Sequence, residues 1–150
     1  MILVDANLVL YATIRDYPQH LRARRWFEDR LNAPPRVGLP WPTILAFVRI
    51  TTNARLFPRP LSVTDAWHHV EEWLALPNVW IPREGERHSE IVGRLLRETT
   101  AAANLVSDAH LAAIAIEHAL ILCSSDRDFS RFRDLHWENP LETPAPPTAA

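Results

Sequence analysis

The sequence predicts a single α/β domain, a central parallel sheet flanked by helices on both faces. Three observations lead there. Residues 1–4 and 120–124 are short, almost wholly apolar runs, as expected for strands buried on both faces. The segments between them carry apolar residues at helical spacing, and strands alternating with helices build a parallel sheet covered on both sides. The chain has 150 residues, which suits one domain with a proper core.

The elements follow in order. The first strand ends abruptly at Asp5. Pro18 marks a break, after which Ala23, Trp26, Phe27, Arg30 and Leu31 recur at helical spacing up to the stop at 32–35. Residues 36–39 are a candidate second strand. Pro42 and Thr43 open a helix to about Thr52, carrying Ile44, Phe47, Val48 and Thr51. Ser62 with Asp65 three residues later is a capping-box pattern, launching a helix to about Leu76. Residues 78–81 read as a strand and 88–97 as a helix. Residues 104–107 form a turn before an apolar helix that Asp108 opens and that runs to His118. The strand 120–124 is followed by a polar turn, 125–128, and a short helix at 129–133. The domain is expected to span 1–141. Residues 142–150, rich in Pro, Ala and Thr, are expected to be a disordered tail.

Composition removes several classes. An apolar content of 47% with 23% charged residues is that of an ordinary globular protein. The long acid-free stretch 31–64 is broken by arginines and prolines, so no membrane span is expected. Asp5 interrupts the apolar start and no basic region precedes it, unlike a signal peptide. The single cysteine, Cys123, excludes an internal disulfide and fits a reducing, cytoplasmic setting. A net charge of −2 means that any nucleic-acid contact must use local patches. All 16 basic residues are arginine, the better bidentate phosphate ligand.

The acids carry the chemistry. In parallel sheets, ligands bind beyond the carboxyl ends of the strands. Asp5 follows the first buried strand at once, and Asp126 follows the late strand by two residues, so both belong on one rim. Asp5 has a structural alternative, capping the next helix. Asp108 has one too, since an acid in a first helical turn suits the helix dipole. Its helix leads into the strand that ends near Asp126, so the three acids can converge. In the turn, Asp128 is the expected cap of the short helix and Asp126 the expected ligand, with Asp128 the alternative. Clustered carboxylates repel unless a cation neutralises them. Oxygen-only ligation suits Mg²⁺, with Mn²⁺ as a substitute, and such a site can activate water against a phosphate ester.

At these residues the chain resembles the PIN-domain nucleases, specifically the VapC toxins of bacterial toxin–antitoxin pairs. The matching segments are Ile2-Leu-Val-Asp-Ala-Asn-Leu8, Asp108-Ala-His-Leu-Ala-Ala-Ile-Ala115 and Ser124-Ser-Asp-Arg-Asp-Phe129. Trp41, the run Ala46-Phe-Val-Arg49 and Pro60-Leu-Ser62 look like one branch of that family. The resemblance places Asp5, Asp108 and Asp126 on metal-site acids, with Asp128 an alternative for the last. It places Asn7 and Ser124 where small polar residues stand near the metal. It implies a Mg²⁺-dependent ribonuclease that cuts structured RNA such as tRNA, forms a homodimer and is held inactive by a cognate antitoxin protein. One departure stands out. The family usually has a glutamate in the helix after the second strand, near Phe47, yet no Asp or Glu lies between Arg30 and Thr64. Either three acids plus water then suffice, or another acid such as Glu90 moves in, or catalysis is weak.

Other signals weigh less. Arg127 and Arg131, with Arg133, flank the acidic turn and are placed to contact phosphates, whereas the arginines of the first long helix read as a solvated face. Seven histidines lack zinc spacing. Cys123 reads as core. Trp26, Trp67 and Trp73 are candidates for a dimer seam or an antitoxin groove. Two alternatives remain: a phosphatase of the haloacid-dehalogenase type, with Asp5 as nucleophile, and a PIN-like module that binds RNA or a partner without cutting.

Overall fold

A computed structural model describes residues 1–99 and 103–142. Its strands are β1 (Ile2–Val4), β2 (Val37–Gly38), β3 (Val79–Trp80), β4 (Ile121–Cys123) and β5 (Trp137–Glu138). Its helices are α1 (Ala6–Thr13), α2 (His20–Asn32), α3 (Trp41–Thr51), α4 (Val63–Leu74), α5 (His88–Glu98) and α6 (Leu105–Glu117), with a 3₁₀ turn at Arg127–Arg131. The sheet order is β3-β2-β1-β4-β5, and every neighbouring pair is parallel. The predicted fold class is therefore the observed one.

The central strand shows how the layers are made. Successive strand residues point to opposite faces. Ile2 and Val4 join a core with Leu8, Phe27, Ile44, Phe47 and Val70, from α1 to α4. Leu3 joins a second core with Ile91, Leu95, Leu111, Leu122 and Phe129, from α5, α6, β4 and the 3₁₀ turn. β1 and β4 are thus apolar throughout because each face of the sheet has its own helical layer. The register pairs Val4 with Cys123, which sets the ends of β1 and β4 side by side.

Several elements differ from the sequence reading. The helix α1 begins directly after Asp5, within a run rich in Leu and Val that gives no helix-start signal beyond the aspartate itself. The helix α6 starts at Leu105, so Asp108 lies in its first turn rather than opening it. That helix stops at Glu117, and Ala119 takes a left-handed conformation (φ 52°) that turns the chain into β4. Two-residue β5 was not anticipated, since its only apolar member is Trp137 between His136 and Glu138. Ser62 caps α4 as expected, accepting from the Asp65 N–H at 3.0 Å. Of the expected tail, 143–150 lie outside the described residues. Among the described residues, no helix is long and apolar enough to cross a membrane.

Candidate metal centre

Asp5 takes the capping role that the sequence offered as its structural alternative, and it does so at the sheet rim. Its own N–H donates to the Cys123 carbonyl at 3.0 Å, fastening the end of β1 to β4. Its Oδ1 accepts from the Ala6 N–H at 2.7 Å, which caps α1. Its Oδ2 accepts from the Ser124 hydroxyl at 2.7 Å. Ser124 is fully buried. Its Oγ also accepts from Asn7 Nδ2 and from the Asp126 N–H, each at 3.0 Å. One hydroxyl therefore ties together the end of β1, the first turn of α1 and the start of the acidic turn. The Trp137 indole N–H donates to the Ser124 carbonyl at 3.1 Å, so β5 braces the same residue from outside.

The acidic turn corrects one expectation. Asp126, not Asp128, caps the 3₁₀ turn: Asp126 is extended (φ −83°, ψ 116°) and its Oδ1 accepts from the Asp128 N–H at 2.9 Å. A cap must precede the first helical residue with extended backbone, and only Asp126 does so. Asp128 lies within the first turn, and its carboxylate is left to face Asp108. Carboxylate oxygens of Asp108, Asp126 and Asp128 all lie within 4.8 Å of one another. Both candidates for the third acid thus join Asp108. Asp5 stands beside this trio, coupled to it by charge and through Ser124, and not among the oxygens that share the 4.8 Å span.

The electrostatics register the crowding. The Asp108 carboxyl is pushed up to about 6, first by burial and then by the like charges of Asp126, Asp5 and Asp128. The Asp5 carboxyl is also raised, chiefly by burial; the hydrogen bonds from Ser124 and Ala6 pull it back and Asp126 pushes it further up. The cations nearby do little to relieve this. Arg131 Nε reaches Asp128 Oδ1 only at 3.9 Å, with both side chains about half exposed. Arg127 pairs with Glu142 at 2.9 Å. The donor set is all oxygen, carries like charge and sits at a sheet rim, which fits a hard divalent cation.

The missing glutamate is explained by where Phe47 sits. Its side chain is fully buried, with its ring against Trp73 at 4.9 Å between centroids. No carboxylate can enter there without an unpaired buried charge. Glu90 does not take its place: it pairs with Arg87 on the exposed face of α5 and is absent from the charges acting on Asp108. Sequence reasoning missed Thr43, whose buried hydroxyl donates to the Val4 carbonyl at 2.7 Å and locks α3 to the rim. It also missed that the His88 and His110 rings meet, nitrogen to nitrogen at 2.9 Å, because only the packing of α5 on α6 brings together two residues 22 apart in the chain. Cys123 is buried and its thiol is pushed up to about 12, chiefly by burial, as suits a core residue.

A rim of acids on a parallel sheet of order 3-2-1-4-5 is open to more than one class of enzyme, and sequence comparison decides among them. The PIN domain model matches residues 2–135. Ribonuclease VapC33 of Mycobacterium tuberculosis is 45% identical over 141 residues, spanning 94% of this chain and 99% of the relative. Ribonuclease VapC37 of the same species is 43% identical over 140 residues, spanning 93% of this chain and 97% of the relative. The chain belongs to the PIN-domain family, in its VapC branch. The solved structure of VapBC-1 from nontypeable Haemophilus influenzae superposes with a TM-score of 0.66 at 18% identity, over 95% of this chain and all of that one, and shows the same fold. Nothing in these comparisons favours the phosphatase or the non-cleaving alternative.

Proposed function

We propose that this chain is the toxin of a VapC-type toxin–antitoxin pair, a Mg²⁺- or Mn²⁺-dependent ribonuclease that hydrolyses RNA phosphodiester bonds. The observation that carries this reading is the convergence of Asp108, Asp126 and Asp128 within 4.8 Å, with the Asp108 carboxyl raised to about 6. The names of the relatives, each a ribonuclease, give the reaction class. Asp5, Asp108, Asp126 and Asp128 would hold the cation. The bound ion would supply a water acidified toward hydroxide and neutralise charge developing on the phosphate.

The chain's own groups do the rest. The Ser124 hydroxyl points one Asp5 oxygen, and the Ala6 N–H points the other, so Asp5 faces the rim in a single orientation. Asn7 holds Ser124 in turn. As oriented carboxylates, Asp5 and Asp108 would accept hydrogen bonds from an attacking water. Arg131 lies at the edge of the acids and is free to exchange its long contact with Asp128 for a phosphate oxygen. Arg127 would do so only by releasing Glu142. A structured RNA such as tRNA, a cognate antitoxin, a homodimeric state and a cytoplasmic setting belong to the same reading.

Purified protein incubated with total tRNA tests it. Cleavage is expected with Mg²⁺ or Mn²⁺, none with EDTA, and none in Asp5→Asn or Asp108→Asn variants that keep their circular dichroism. Metal-independent cleavage, or full activity in both variants, overturns the assignment.

A further inference from the structure

We propose that His88 and His110 form a binding site for a transition-metal ion of the zinc class at the seam of α5 and α6. His88 Nε2 and His110 Nδ1 face each other across 2.9 Å, with the rings nearly perpendicular (83°). Each ring has a carboxylate behind its other nitrogen. Glu84 Oε1 lies 3.4 Å from His110 Nε2, and Glu117 Oε2 lies 3.9 Å from His88 Nδ1. A carboxylate on the far nitrogen is what fixes the tautomer and the aim of a metal-binding imidazole. Imidazole nitrogen selects zinc, copper or nickel over the hard ions that the acid cluster suits. His110 follows Asp108 by two positions in α6, and residues two apart on a helix do not face each other, so the two sites are separate.

The proton count argues for a cation between the rings. Glu84, His110, His88 and Glu117 form a row with three gaps, whereas two uncharged imidazoles bring two N–H protons. One gap is left without a proton. The shortfall is visible at His88 Nδ1, which is buried without a hydrogen-bond partner. A cation in the middle gap resolves it, because both rings then present lone pairs inward and N–H groups outward to the carboxylates. Its two positive charges balance Glu84 and Glu117, whose ion pairs among the described residues are made with these rings.

The row also has the slack to admit an ion. Two nitrogens at about 2.0–2.1 Å from a tetrahedral ion stand about 3.3 Å apart. Parting the rings by the missing distance, about 0.4 Å, moves each far nitrogen toward its carboxylate across gaps of 3.4 and 3.9 Å. The Glu117 end is fixed, since its carboxylate accepts from the Gly85 and Arg87 N–H groups, each at 2.9 Å. A side chain at Gly85 would displace it, because a Cβ there would stand 2.4 Å from Glu117 Oε1. The His110 side chain is 33% exposed, which leaves water to fill the remaining ligand positions. The two histidines are 22 residues apart on different helices, so spacing within one element could not reveal them.

The test is titration of the full chain with Zn²⁺ in a large excess of Mg²⁺, followed by calorimetry and by the imidazole nitrogen resonances. In the parent, the His88 and His110 ring nitrogens are expected to shift together and to saturate with a single zinc ion, a readout that needs no variant. Glu84→Gln, at an exposed position, is expected to weaken this binding about tenfold by removing the partner of the His110 N–H. His110→Gln with parent-like circular dichroism is expected to abolish it, and Asp126→Asn to leave it as in the parent. Zinc that leaves both rings unshifted, or that is lost in Asp126→Asn and kept in His110→Gln, overturns the site and leaves the histidines a hydrogen-bonded pair. The inference goes beyond the ribonuclease reading and does not rest on it: a chain that binds zinc at these rings and cuts no RNA refutes that reading and upholds this site.

Discussion

Replacing Asp108 by Asn separates what the acid cluster does to stability from what it does to RNA. The Asp108 carboxyl sits at about 6 in the fold against 3.8 in an open chain. A carboxyl raised by folding stabilises the fold while it is protonated. That contribution is complete below the open-chain value and is lost as the pH rises through about 6. Near neutrality the folded chain therefore carries an ionised, repelled group. At about 1.36 kcal/mol per pH unit, the gap from 3.8 to about 6 corresponds to about 3 kcal/mol before screening. Asp108 is only partly buried, so water screens it and about 1 kcal/mol is the expected size. For a chain of this length that is a Tm change of about 3 °C. In EDTA at about pH 7.5 the Asn variant should melt about 3 °C above the parent, and the two should coincide below about pH 4. Saturating Mg²⁺ should invert the order: at about a hundredfold excess over Kd the parent gains about 2.7 kcal/mol, and the variant gains much less. Calorimetry under these conditions reads all of it. A variant that melts below the parent in EDTA near neutrality, or that gains as much from Mg²⁺, refutes the reasoning.

Other perturbations follow from single contacts. Ser124→Ala removes the donor to Asp5 Oδ2 and the acceptor for Asn7 and the Asp126 N–H, so a loss of about 1–3 kcal/mol is expected in urea denaturation. Mg²⁺ affinity by calorimetric titration should fall about tenfold to a hundredfold with it. Ala119→Gly relieves the left-handed backbone that closes α6 and should raise stability by up to about 1 kcal/mol, with RNA cleavage unchanged. Cys123 should resist a thiol reagent near neutral pH until denaturant is added, because its thiol is buried and pushed up to about 12. Phe47→Glu, which writes the family's usual acid into this chain, should abolish cooperative unfolding, because it strands a charge beside Trp73 at a loss of about 3–5 kcal/mol or more. A folded Phe47→Glu protein with raised cleavage would show that the position can reach the rim.

The strands β1 and β4 were legible because a strand buried on both faces leaves a continuous apolar run, and helical layers on both sides leave the periodicity between them. The rim position of the acids followed from those two strands alone. What escaped the sequence is short in range or long in reach. Two-residue β5 has no pattern to detect, and it matters because the Trp137 indole braces Ser124. The choice of Asp126 as the cap depends on one backbone conformation that either aspartate could have adopted. The meeting of Asp5 with Ser124 spans 119 residues of chain, and only the β1–β4 register fixes it.

That register also bears on the absent α3 glutamate. Because Val4 pairs with Cys123, Ser124 falls beside Asp5, and its hydroxyl takes up the Asp126 N–H at 3.0 Å. Drawn back in this way, Asp126 caps the 3₁₀ turn through one oxygen, and the turn carries Asp128 round to the same side as Asp108. Two acids two residues apart would share a face in an extended chain but stand about 7 Å apart along it; here the tight turn closes that gap and brings both within 4.8 Å of Asp108. On the proposed reading the cluster still counts four carboxylates with Asp5, the fourth coming from the turn after β4 instead of from α3. Phe47 is then released to fill the core beneath the rim, and the helix that would have carried an acid is anchored by Thr43 on the Val4 carbonyl instead.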